Sequence, residues 1–471
     1  MFGLDTNLTI ILILCMVAAC AFEFINGFHD TANAVATVIY TRSLKPQQAV
    51  IWSGIWNFIG VYFGGIAVAM AIVNLLPMEA LVDQNVYHNV AMIMALILTA
   101  IIWNLGTWYF GIPASSSHTL IGSIFGVGIA FMFINPDGAV ALNWHKVADA
   151  FLALLISPII GFFGAWILMI VFKKYVKKKK FFKAADPDKK PPFIIRGVLV
   201  LTSTMLSFSH GSNDGQKGVG LMMIILISLL PAKFALDQNK NASNMLGNIR
   251  TIEAYISKID TIHIDTKTAT EITTIKTDLL EIKNTILTSD ISSEIDESKR
   301  FKIRSDIIII TRSLDKIISD PNKKQYLNLT SSNISHLKSN LAELKSFTEF
   351  APGWVILLIS ISLGLGTMIG WKRIVTTIGE KIGKTPMTFA QGTSSGLIAT
   401  TTILLASVLG LPVSTTHVLS SGVAGTMASE GGVKNLQTQT LKNIGIAWVV
   451  TIPVTVIISC SLFLLFRWMI V

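Results

Sequence analysis

Charge is what this sequence has least of. Asp, Glu, Lys and Arg make up 14% of its 471 residues, whereas 51% are apolar. Soluble chains carry roughly a quarter charged residues, so an ordinary soluble protein is excluded. Nearly charge-free runs recur at 8–22, 48–75, 89–109, 148–172, 354–370, 386–409 and 443–466. A helix needs about 20 apolar residues to cross about 30 Å of hydrocarbon. One such run could be a buried core helix; seven cannot all be soluble core. Cysteine is also scarce. Cys15, Cys20 and Cys460 all lie inside apolar runs, which reads as small packing residues rather than redox or metal chemistry. No basic segment precedes the first apolar run, Asp5 does, and no small-residue cleavage site is evident before Asn26. That run is expected to be a retained span, not a signal peptide.

What charge there is lies in two places. The formal balance is +10, and its densest concentration is the stretch 173–192, directly after a span. Lysines there fit a cytoplasmic anchoring loop and argue against a nucleic-acid partner. A mixed-charge insert at 236–350, with amphipathic stretches such as Arg304 to Ser319, reads as a small helical extramembrane domain. The expected organisation is a first membrane repeat (1–172), the Lys-rich loop (173–192), the first part of a second repeat (193–235), the insert (236–350) and the remainder of the second repeat (351–471).

The repeat is visible directly. NGFHDTANAV at 26–35 matches HGSNDGQKGV at 210–219 through Gly27/Gly211, Asp30/Asp214 and Val35/Val219, and GIPASSSHTL at 111–120 matches GLPVSTTHVL at 410–419. The motifs lie 84 residues apart in the first half and 199 in the second; removing the insert brings these spacings close to equality. Counting 8–40 as one broken crossing gives five crossings per half, and an odd number inverts the second half. With the Lys-rich loop inside, 41–46 and 371–384 fall inside. The segment 76–88, with Glu79 and Asp83, falls outside with the insert and both termini. Re-entrant hairpins at the Ser-rich segments would change the count.

A carboxylate at membrane depth costs about 2.5–3.5 kcal/mol on insertion scales and persists only with a partner, a cavity or a function. Asp30 and Asp214 stand at matched repeat positions, and Glu23 lies inside the first span. An interfacial location is the plain alternative; the duplication favours an ion site. Gly27, Gly211 and Gly215 allow unwound backbone, tolerated in a bilayer only where protein or water satisfies it. Asn26, Asn33, Asn213 and Gln216 add neutral ligands nearby. In the second motif, Pro113 and Pro412 followed by Ser115, Ser116, Ser117 and Ser414, Thr415, Thr416 read as helix starts. A helix start faces anions with free N–H groups and its positive dipole end. Ordinary packing of Ser and Thr is the competing reading. His118 and His417 are candidate proton carriers or hydrogen-bonded structural residues. Lys217 replaces Asn33 in the second copy and needs Asp214 or an anion as partner. Ser beside His suggests a hydrolase, but a duplicated nucleophile has no evident purpose.

FINGFHDTANAVATVIYTR, FSHGSNDGQKGVGL, GTMIGWKRIVTTIGEKIGK and LPVSTTHVLSSGVAGTMAS resemble the Pit family of inorganic phosphate transporters, in its bacterial low-affinity form. The resemblance covers nearly the whole membrane part. It implies phosphate symport in a bacterial inner membrane, with substrate bound between inverted repeats. Functional acids would lie at Asp30 and Asp214, with Glu23 as a further candidate, and phosphate contacts around Ser115–Ser117 and Ser414–Thr416. It also implies coupling to a proton, with phosphate carried as a neutral complex with a divalent metal. Sodium-coupled relatives usually show Gly-Ala-Asn-Asp in both halves. Here His29 replaces Asn in the first copy and Lys217 stands where Asn is common in the second, so His29 joins the candidate proton carriers and sodium is disfavoured.

The expected protein is an all-α polytopic membrane protein of two inverted repeats with broken or re-entrant helices, about 10–12 transmembrane segments and a small helical extramembrane insert. It is a transporter, not an enzyme, with no resident cofactor. Its partners are inorganic phosphate and the lipid bilayer, with a homodimer left open. Expected phosphate contacts are Ser115, Ser116, Ser117, Ser414, Thr415, Thr416, Asn213 and Lys217; expected cation ligands are Asp30, Asp214, Asn33, Asn26, Glu23 and Gln216. A sodium-coupled phosphate or sulfate symporter, a passive channel and an intramembrane Ser/His hydrolase are the alternatives.

Overall fold

The computed structural model describes residues 3–76, 81, 85–112, 114–134, 142, 144–186, 189–287, 295, 297–323, 326–369, 375 and 382–470. Pro113, most of 76–88 and most of 371–384, on which part of the expected topology rests, lie outside the described residues. Contacts divide the chain into a unit formed by Met1–Ile225 with Ala351–Val471 and a second unit, Leu226–Phe350.

The first unit is helical among the described residues. Its first half contains α1 (Thr6–Tyr40), α2 (Pro46–Phe63), α3 (Ala67–Val73), α4 (Val86–Tyr109), α5 (Ser116–Ile134) and α6 (Trp144–Tyr175). Its second half begins with α7 (Phe193–His210), a π-helical turn at Gly211–Gly215 and α8 (Gln216–Leu229). Six helical stretches among the described residues are long and apolar enough to cross a membrane, and a seventh is the pair α2–α3, bent by 71°. The remaining helices of this unit are the shorter α13 (Gly353–Thr367), α14 (Phe389–Val408) and α15 (Thr415–Gly431), followed by the long α16 (Thr438–Ile470). Fewer helices pass an apolarity test than the sequence count suggests because some are lined by protein. Along α15, Thr415–Met427 is buried throughout, so its Ser, Thr and Gly residues never meet lipid.

Helix partners are exchanged between the halves. Helix α1 packs on α13, and its counterpart α7 packs on α2. Helix α5 packs on α16 as α15 packs on α6, and α4 meets α16 as α14 meets α6. Matched glycines make these crossings close. A Cβ on Gly27 would lie 2.5 Å from the Leu363 carbonyl oxygen, and one on Gly211 would lie 2.2 Å from that of Asn57. This corrects one expectation. Gly27 does not mark a broken helix, because α1 runs unbroken through it for 35 residues. Only the second copy departs from α geometry, through its π turn. The sharp break lies elsewhere, between α2 and α3, where Gly65 has φ +82°. Gln216 bridges that break: its side-chain oxygen accepts from Val68 N at 2.8 Å and its amide donates to Gly64 O at 2.8 Å.

The second unit holds α9 (Ala242–Ile256), α10 (Thr266–Leu287), α11 (Glu297–Ser319) and α12 (Ser331–Lys345). These amphipathic helices share a core rich in Ile and Leu, including Ile249, Ile275, Ile307 and Leu341. Arg304 is buried in this unit, and its guanidinium donates to the carbonyls of Ala235 (3.1 Å) and Thr348 (2.5 Å), residues near the two ends of the insert. Burial lowers that guanidinium to about 10, a value at which it still carries its charge at neutral pH.

Gly27→Val forces branched carbons against backbone that cannot yield. It is expected to destabilise the protein by about 1–3 kcal/mol, read as a lower thermal midpoint in detergent.

Candidate functional site

The two Ser/Thr motifs start helices. Ser414 is the N-cap of α15, its hydroxyl accepting from His417 N at 3.2 Å. Ser115 plays the same part before α5, accepting from His118 N at 3.2 Å. The turn before each helix uses a left-handed glycine, Gly111 (φ +66°) and Gly410 (φ +67°), a conformation that a side chain would penalise. Ser116, Ser117, Thr415 and Thr416 then lie in the first turns of α5 and α15, all buried.

These hydroxyls converge on the two aspartates. Ser116 donates to Asp30 Oδ2 at 2.9 Å and Thr415 donates to Asp214 Oδ2 at 2.7 Å, each within its own half. Contacts across the halves follow the same symmetry: Asn33 donates to Thr416 Oγ1 at 2.8 Å, and Lys217 donates to Ser117 Oγ. Thr416 also donates to Asp30 Oδ1 at 2.6 Å. Lys217 pairs with Asp214 and donates to Val413 O at 2.9 Å. Asp30 and Asp214 are 2% and 0% exposed, so every donor counts: a buried carboxylate without partners is far costlier than one with several.

His210 was not singled out in the sequence, although it opens the second motif. Its Nε2 lies 2.9 Å from Asp214 Oδ2 and 4.0 Å from Asp30 Oδ2. Its Nδ1 lies 2.9 Å from Asn57 Oδ1, and the Asn57 amide donates to Thr367 Oγ1 at 3.0 Å. Asn57 is thereby oriented as an acceptor, so Nδ1 carries the proton. The buried Nε2 is near Asp214 but outside hydrogen-bond geometry. One ligand atom each from Asp30, His210 and Asp214 fall within 4.8 Å of one another, a group able to hold a metal ion. Sequence position offered one signal: His210 aligns with Asn26 in the repeat.

Other expected residues have partners of their own, most of them outside this cluster. Asn213 braces the turn before α15, donating to Leu411 O at 3.2 Å and accepting from Val413 N at 3.3 Å. Gln216 is engaged at the α2–α3 break. Asn26 donates to Glu23 Oε1 at 3.0 Å, with no bond to either aspartate among the described residues. His29 lies beside Asp30 Oδ1 at 3.3 Å and Thr107 Oγ1 at 3.2 Å. His118 and His417 face each other, ring centres 4.4 Å apart, and His417 stacks on Trp448 at 3.9 Å.

Lys217→Met leaves Asp214 without its ammonium partner and is expected to cost about 3–5 kcal/mol. Combining it with Asp214→Asn should cost less than the sum of the two single changes. A double-mutant cycle of unfolding in detergent reads both.

Comparison with known proteins identifies the family. Residues 26–459 match the family described as "Phosphate transporter family". The chain is 42% identical to the low-affinity inorganic phosphate transporter of Buchnera aphidicola subsp. Acyrthosiphon pisum, over 98% of this chain and 97% of that one. It is 41% identical to the low-affinity inorganic phosphate transporter PitA of Escherichia coli K12, with the same coverage. Among solved structures, "The sodium-dependent phosphate transporter" superposes with a TM-score of 0.53 at 20% identity, covering 97% of this chain and 99% of that one, a likeness of fold. The relatives are transporters by name, which sets the hydrolase reading aside. This chain, a multi-pass helical membrane protein with paired buried aspartates between two Ser/Thr-rich helix starts, belongs to the Pit family of phosphate transporters.

Proposed function

We propose that the protein is a secondary active symporter of the bacterial cytoplasmic membrane, moving inorganic phosphate together with a proton, the phosphate travelling as a neutral complex with a divalent metal. One observation carries this reading. The hydroxyls suited to an anion, on Ser116, Thr415 and Thr416, are donated to Asp30 and Asp214. Phosphate and the two carboxylates therefore compete for the same donors. A divalent cation at Asp30, His210 and Asp214 draws the carboxylates to itself and releases the hydroxyls to phosphate oxygens. Lys217 and the positive ends of α5 and α15 add attraction for the anion. Metal and phosphate are thus each other's condition for binding, as a neutral complex requires.

The residues fit such a cargo. A metal-binding histidine normally presents one nitrogen while the other donates to a fixed oxygen, and Asn57 Oδ1 is that oxygen for His210. Inverted repeats would present one half of the cluster to each side of the membrane, and rocking of one bundle against the other would alternate access. His29 and Lys217 disfavour sodium as the coupling ion.

Labelled phosphate uptake into proteoliposomes tests this. Asp30→Asn and Asp214→Asn are each expected to abolish uptake; intact uptake in both variants would falsify the assignment. Asn57→Ala is expected to weaken the apparent metal affinity of uptake by about 10–100-fold. Excess arsenate should compete, and competition by sulfate measures how strictly the site selects phosphate.

A further inference from the structure

Glu23 is a fully buried acid that this arrangement leaves unused. It lies seven residues before Asp30 on α1, about 10 Å along the helix. Its Oε1 accepts from Asn26 Nδ2 at 3.0 Å; its Oε2 is buried with no hydrogen-bond partner. No lysine, arginine or histidine forms an ion pair with it among the described residues.

What faces Oε2 is the backbone of α8 at Gly218. A Cβ there would lie 2.3 Å from Glu23 Oε2, 2.8 Å from its Cδ and 3.0 Å from Ile359 Cγ2. Oε2 thus lies close against α8 at Gly218, with the Ile359 side chain beside the same glycine. A magnesium or calcium ion needs several oxygen ligands at about 2.0–2.6 Å, and among the described residues no group of three His, Cys, Asp or Glu side chains able to hold one includes Glu23. The metal-competent cluster, by contrast, consists of Asp30, His210 and Asp214 and does not include Glu23.

The position also links this acid to the substrate cluster. Gly218 directly follows Lys217, which binds Asp214 and Ser117 of the cluster. A displacement of α8 against α1 therefore changes the surroundings of Glu23 and the contacts of Lys217 together. The charged groups acting on Glu23 are Asp214, Lys217 and His210, all from the second half, and Cys20 is the titratable neighbour on its own helix.

We propose that Glu23 carries the coupled proton, at a site separate from the metal and phosphate. Oε2 takes a proton from water on one side of the membrane, forming an O–H bond. That bond breaks to return the proton to water on the other side once α8 has moved; no electrons change hands. The assignment rests on the symport reading above and adds the residue that makes it proton-driven.

The experiment separates coupling from substrate handling. In proteoliposomes with magnesium, exchange of labelled for unlabelled phosphate at equal pH needs no net proton movement, whereas accumulation under an imposed pH gradient does. Glu23→Gln keeps the shape of the side chain and an acceptor for Asn26. It is expected to retain exchange and lose accumulation driven by the gradient. Accumulation that still follows the gradient overturns the proposal, and so does loss of exchange together with accumulation, which places Glu23 in substrate binding or folding. Glu23→Asp, which draws the carboxyl back from Gly218, is the second variant: exchange is retained and the pH profile of uptake shifts, and an unchanged profile also overturns the proposal. Absence of phosphate exchange in the wild-type protein points instead to failure of the symport reading itself.

Discussion

Two buried carboxylates and the donors they require set the terms for the rest of the molecule. Asp30 and Asp214 cannot stay buried without donors, and the hydroxyl donors are supplied by other helices. Those hydroxyls come from the first turns of α5 and α15, which must therefore begin beside the aspartates. That placement in turn requires the left-handed turns at Gly111 and Gly410 and the Ser115 and Ser414 hydroxyls that take up first-turn N–H groups. The polar composition of α15 follows, because a helix enclosed by protein has no need to be apolar.

The exchanged pairing of helices serves the same constraint. Each aspartate sits on a helix pressed closely against a helix of the other half, Gly27 on α13 and Gly211 on α2. Cross-contacts from Asn33 and Lys217 then reach the opposite Ser/Thr motif. The cluster is thereby built from both halves at once: Asp30 accepts from Ser116 of its own half and Thr416 of the other, whereas Asp214 is held by Thr415 and Lys217 of its own half. Neutral polar groups outside the cluster also have defined tasks: Gln216 closes the break between α2 and α3, and Asn213 secures the turn leading into α15.

Much of this was legible in the sequence because duplication is a signal that does not depend on secondary structure. The matched Asp and Ser/Thr motifs identified the residues that meet in space, and Pro followed by hydroxyls marked the start of α15. Residue-level roles were less legible. Gly27 reads equally well as a hinge and as a close helix contact, and only the distance to the α13 backbone decides between them. His210 escaped notice because its repeat partner is Asn26, so the duplication that exposed the aspartates concealed it. Gln216 and Asn213 lie in the motif, but their side chains turn toward backbone groups far along the chain, which no local pattern records.

Lys217 has no counterpart in the first half, where Asn33 stands. The balance of charge in the cluster is therefore lopsided. Asp214 is matched by an ammonium on the same stretch of helix and moves with it as a dipole, whereas no lysine or arginine pairs with Asp30 among the described residues. A membrane voltage acts on charge displaced through it, at about 2.3 kcal/mol per elementary charge per 100 mV. Displaced together, the Asp214–Lys217 pair carries no net charge through that field, whereas Asp30 has no ammonium to offset its charge among the described residues.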